Sequence, residues 1–214
     1  VYIDLSGAYL REGRLTEAFM NAKKAVIVDP RSSNAHYILA LVYQRLGEMG
    51  SADASYQKAI SLDPRNPAAL NAYGLFLCER KDFDEADNYF RRALNNPLYS
   101  TPWIASHNAG SCAEMSGDLE RADRDYRTAL QANPQFAPSL LSMAEVSYRT
   151  GNYLSSRAYL QRYAEVAPHT AQSLWLGVQT ENQLGDKDQM ASYRLKLRNK
   201  FPDSEQAKFL QTIE

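Results

Sequence analysis

Cys78 and Cys112 are the only two cysteines in 214 residues. A thiol can serve as a nucleophile, as a metal ligand or as half of a disulfide, and a buried one is often just a small hydrophobe. The three histidines, His36, His107 and His169, are scattered along the chain, so no Cys–His pair or zinc spacing is formed. No HExxH, GxSxG or glycine-rich phosphate loop occurs. Carboxylates are numerous, but "DEADN" and "ERADRD" read as solvated helix faces. The expectation is a protein that is not an enzyme, with no catalytic residue, no metal and no cofactor.

The bulk composition narrows the classes further. The chain is 44% hydrophobic and 23% charged, with a net charge of −1, which is ordinary for a globular fold. Without a basic stripe, no nucleic-acid partner is expected. No run approaches the roughly 18 apolar residues that a membrane span needs. The sequence opens at "VYIDLSGAYL", already in helical pattern, so any targeting segment would lie upstream.

The elements that position these residues follow from an internal repeat. Pro30, Pro64, Pro134, Pro168 and Pro202 close similar phrases, such as "AVIVDP", "AISLDP" and "ALQANP", and "ALNNP" at Pro97 fills the widest gap. Between them one skeleton returns. Ala40, Gly74, Gly110 and Ala144 are its small residues on the first helix. Ala18, Ala52, Ala86 and Ala122, then Ala25, Ala59, Ala93 and Ala129, mark the second. The pattern resembles the tetratricopeptide repeat. Small residues let helix backbones approach, and two alanines on the second helix are expected opposite the small residue of the first. Tyr43, Tyr56, Phe90 and Tyr126 fill the larger gaps. Gly13, Gly47, Gly117, Gly151 and Gly185 mark turns where positive φ is often needed. The proline stops the second helix.

The fold class is therefore all-α: a right-handed α-solenoid of six repeats, roughly 1–31, 32–65, 66–101, 102–135, 136–169 and 170–203, read as a single domain over 1–214. The fifth repeat reads as weaker, with Ser156 where alanine is usual. The sixth is degenerate, with Met190 and Leu197 in place of alanines. A capping helix over 204–214 follows, with Asp203 or Ser204 as its cap and Phe209, Leu210 and Ile213 to cover the end of the stack.

A repeat solenoid binds partners along its concave face, which the first helix of each repeat lines. The expected groove comprises Ile3, Leu10, Asn34, Tyr37, Leu41, Gln44, Arg45, Asn71, Leu75, Glu79, His107, Glu114, Leu141, Glu145, Tyr148 and Arg149. Its mixture of apolar, amide and charged groups suits an extended or helical peptide. Tyr37 and Tyr148 lie outside the repeat-packing positions and are candidate anchors.

The junction of the third and fourth repeats, "ALNNPLYSTPWIASHNAGSC", is two residues too long and bracketed by Pro97 and Pro102. Trp103 heads the next helix. Equivalent residues of adjacent repeats lie about 8–10 Å apart, beyond the roughly 7 Å Cα limit of a disulfide. The insertion offsets Cys112 from Cys78 by two positions, about 200° around a helix. The thiols could then face each other. Read from the residues alone, a bridge and two unrelated buried cysteines both remain open.

The stretches "NAYGLFLC", "PLYSTPWIASHNAGSC" and "SLWLGVQ" resemble the type IV pilus biogenesis and stability family, PilF/PilW. The resemblance covers nearly the whole chain. It implies a disulfide between Cys78 and Cys112, as in the cysteine-containing branch of the family. It further implies a lipoprotein on the periplasmic face of the bacterial outer membrane, held there only by an N-terminal lipid anchor upstream of this chain. It implies a pilotin that helps the pilus secretin reach that membrane and multimerise, and that supports pilus stability. The expected partners are the secretin subunit and other type IV pilus proteins, bound by a monomer. The alternative is a generic periplasmic repeat scaffold serving another envelope complex.

Overall fold

The computed structural model describes residues 1–212, so Ile213, one of the expected cap residues, lies outside the described part. The described residues form thirteen α-helices and no strand. They are α1 (Tyr2–Arg11), α2 (Leu15–Val28), α3 (Ser33–Arg45), α4 (Met49–Leu62), α5 (Pro67–Glu79), α6 (Phe83–Leu94) and α7 (Pro102–Ser116). α8 (Leu119–Ala132), α9 (Ala137–Arg149), α10 (Tyr153–Val166), α11 (Ala171–Leu184), α12 (Lys187–Lys200) and α13 (Glu205–Thr212) follow.

Local chemistry starts and stops these helices. Ser32 caps α3 by accepting from the Ala35 N–H, and Asn66 caps α5 by accepting from Ala68 and Ala69, with Pro67 at the first helical position. Thr170 and Ser173 form a reciprocal capping box on α11. Ser204, not Asp203, caps α13 through a 3.1 Å bond from the Ala207 N–H. Gly47 turns the chain between α3 and α4 at φ 80°, a left-handed value that suits glycine. The same turn between α5 and α6 is made by Lys81 at φ 68°, a position where a Cβ is penalised.

The chain packs as two compact units, Val1–Cys112 and the part from Ala113 onward. In the first, α1 packs on α2, α3 on α4 and α5 on α6, and each pair rests on the next. Its core includes Tyr56, Phe76 and Phe90, all fully buried, together with the repeat alanines. Cys78 on α5 and Cys112 on α7 are joined by a disulfide, with their Cα atoms 5.8 Å apart. In the second unit, α8 packs on α9, α9 on α10, α10 on α11 and α11 on α12. α13 rests on α11 and α12, with Leu210 fully buried, while Phe209 is half-exposed beside Trp175.

One expectation about packing changes. The neighbour that demands glycine at 74 is not an alanine pair. A Cβ there would lie 2.7 Å from the Phe90 ring, and at Gly177 it would lie 2.7 Å from the Tyr193 ring. The close approach thus seats an aromatic ring of the second helix on the first helix's backbone. Ser156, where alanine is usual, is fully buried and hydrogen-bonded to the Thr180 hydroxyl at 3.0 Å, linking α10 to α11. Beside it Arg157 pairs with Glu181, which is only 2% exposed, and with Asp186 at 3.1 Å.

Candidate protein-interaction site

None of the sixteen expected groove residues is buried; each is part- or fully exposed. In the first unit, Leu10 of α1 and Tyr37, Leu41 and Arg45 of α3 come together. With Gly7, Arg11 and Ile38 they line an open recess of about 280 Å³. The helical spacing of 37, 41 and 45 puts these three side chains on one stripe of α3. Leu10 and Leu41 supply apolar walls, Tyr37 an aromatic one, and Arg11 and Arg45 the charge. Burial raises the Tyr37 hydroxyl above its usual pKa, with nearby Tyr99 adding to the effect.

The remaining groove residues of this unit form a polar ladder between successive first helices. Gln44 of α3 donates to Glu79 of α5 at 2.8 Å, and Asn34 accepts from Asn66 at 2.8 Å. Asn71 of α5 accepts from Asn108 of α7 at 3.0 Å. The Tyr56 hydroxyl reaches Gln44 at 2.7 Å from the second helix. These contacts link successive first helices and fix their register along the face. Leu75 is half-buried against the core. Ile3 and Asn34 stand apart from the recess: Ile3 lines another one with Val1, Tyr2 and Val28, and Asn34 faces the turns around Pro64 and Pro97. His107 is half-buried on α7, and burial lowers its pKa to about 4, so it is neutral at pH 7.

The second unit repeats the device. Arg149 of α9 pairs with Glu114 at 2.5 Å, and the Tyr126 hydroxyl donates to the same carboxylate at 3.0 Å. Tyr56 to Gln44 and Tyr126 to Glu114 are one contact, each spanning 12 residues, repeated in two repeats. Glu145 accepts from Gln172 at 2.6 Å. Burial raises the Glu145 carboxyl above its usual pKa, the Glu114 charge adds to this, and Gln172 and Arg149 oppose it. Leu141 packs against the core, and Tyr148 lines a separate recess beside Trp175.

Asn108, Gln172 and the two tyrosine hydroxyls were not among the expected site residues. The insertion at the third junction hides Asn108 from the regular period, because it lies 37 residues after Asn71. Among the described residues no group of three or more His, Cys, Asp or Glu is placed to hold a metal.

Comparison with known proteins matches this architecture to tetratricopeptide-repeat models over residues 33–66, 55–88 and 109–176. The type IV pilus assembly protein PilF of Pseudomonas aeruginosa is 33% identical over 203 residues, spanning 95% of this chain and 81% of that protein. The chain belongs to the PilF/PilW family. The solved structure of Pseudomonas aeruginosa PilF superposes with a TM-score of 0.87 at 32% identity, over 100% of this chain and 96% of that one. The crystal structure of PilW, a widely conserved type IV pilus biogenesis factor, gives 0.87 at 30% identity over 98% and 96%. YrrB, a repeat protein at 16% identity and a TM-score of 0.70, covering 89% of this chain and 97% of that one, shares the fold alone. The chain is thus an all-helical tetratricopeptide solenoid and a type IV pilus biogenesis protein. Scaffold and PilF/PilW kinship both point to a non-enzymatic protein-interaction role.

Proposed function

We propose that this protein is a pilotin: it binds the pilus secretin subunit and promotes its delivery to, and multimerisation in, the bacterial outer membrane. In this reading it works at the periplasmic face, held by a lipid anchor upstream of the present chain. The secretin segment lies on the face of first helices, anchored in the recess of Leu10, Tyr37, Leu41 and Arg45. The single observation that carries the reading is the 33% identity to PilF across 95% of the chain. The recess adds what a peptide needs, namely apolar walls, one aromatic ring and two guanidinium groups around about 280 Å³. The Cys78–Cys112 bridge favours an oxidising compartment such as the periplasm.

The test is genetic and biochemical together. In a strain lacking this protein, outer-membrane secretin multimers should fall while the monomer accumulates. Multimers at normal abundance in that strain, with normal pili, would overturn the pilotin reading.

A further inference from the structure

We infer that the second unit carries another docking site, a recess beside Trp175 that takes a peptide segment in which a large apolar side chain adjoins an aspartate or glutamate. The recess has a volume of about 390 Å³ and is lined by Tyr148 of α9, Trp175, Val178, Gln179 and Asn182 of α11, and Met190 and Arg194 of α12. Apart from Tyr148, none of these belongs to the expected groove.

Three features define the ligand. Tyr148, Trp175 and Met190 form a half-buried apolar platform. Met190 stands where earlier repeats carry the fully buried Ala18, Ala52 and Ala86, so a packing position has become part of a wall. A flexible thioether beside two aromatic rings suits an aromatic or long aliphatic side chain. Gln179 and Asn182, spaced i and i+3, share a face of α11. Neither side-chain amide is hydrogen-bonded among the described residues, so both can pair with an extended backbone.

The third feature fixes the charge. Arg194 is the one ionisable cation lining the recess, and no lining residue is a carboxylate. Its Nε is sealed from water with no hydrogen-bond partner. Arg121 has the same defect but faces Asp118 at 3.7 Å, whereas Arg194 has no ion pair among the described residues. An unpaired N–H on a sealed cation is costly, and a carboxylate that draws the guanidinium into a two-bond fork relieves it. An acidic residue beside the apolar anchor is therefore the complement of this recess.

The probe is an acetylated and amidated Gly-Phe-Asp-Gly-Ser peptide, with Gly-Phe-Asn-Gly-Ser as its neutral counterpart. Binding to the full chain is followed by the Trp175 indole N–H and Met190 methyl signals in NMR spectra. The aspartate peptide should shift both signals saturably. The asparagine peptide should bind roughly tenfold more weakly, the loss of one charge-assisted contact. Arg194→Gln should erase that difference, while Arg194→Lys should keep part of it, which separates recognition from misfolding. Equal binding of the two peptides to the wild type, or no shift of Trp175 at millimolar peptide, would overturn the inference. Sedimentation that shows a dimer dispersed by Arg194→Gln would give the recess to a second copy and would equally overturn it.

Discussion

Replacing both cysteines with alanine should remove about 4–5 kcal/mol from the stability of the first unit. Closing a loop of 34 residues restricts the unfolded chain by about 3–4 kcal/mol in the chain-entropy treatment. Both cysteines are 3% exposed, so deleting the sulfurs also leaves a small void, worth about 1 kcal/mol. Reduction of the wild type removes the cross-link and keeps the sulfurs, so its loss should fall short of the double variant by that packing share. Trp103 lies in the first unit and Trp175 in the second. Urea unfolding followed by Trp103 fluorescence, in a Trp175→Phe background, should therefore show the shift. The same experiment followed by Trp175, in a Trp103→Phe background, should show a smaller shift. A loss under about 1 kcal/mol in the Trp103 transition would refute the reasoning. The Asn71–Asn108 bond and core packing would then hold α5 to α7 without help from the bridge.

Lys81→Gly should stabilise by about 0.5–1 kcal/mol, because relief of the left-handed backbone at φ 68° exceeds glycine's extra chain entropy; a lower urea midpoint would contradict this. The His107 pKa falls from 6.5 to about 4 on folding. Unfolded chain therefore binds the proton more readily, so the stability linked to His107 is full above pH 6.5 and is lost as pH falls towards 4, by at most about 3 kcal/mol. His107→Gln should flatten that part of the pH profile, and an imidazole seen by NMR to titrate near its ordinary value would refute it.

Much of the fold was legible because repetition multiplies weak signals. The recurrent alanines, the turn glycines and the terminal prolines each fix a local geometry, and together they set the helix order. Lys81 escaped because lysine carries no mark of a left-handed turn; only its place, 34 residues after Gly47, gives it away. Phe90 escaped as the partner of Gly74 because the reach of a ring across two helices depends on its rotamer. The candidate face could be laid out from the sequence, but its contacts could not. Periodicity puts Leu10, Tyr37, Leu41 and Arg45 on the first helices, but their convergence on one recess depends on how α1 packs against α3. The polar ladder joins residues 27 to 37 positions apart, beyond any local pattern. The Trp175 recess depends on Met190 failing to pack as the alanines do.

The most direct measurement is calorimetric binding of the purified secretin subunit to the wild type and to Tyr37→Ala/Leu41→Ala, with both proteins shown to be equally folded. Removing an aromatic anchor and an apolar wall from one recess should weaken binding at least about tenfold. Unchanged affinity in the double variant would contradict the account and move the secretin contact off this face.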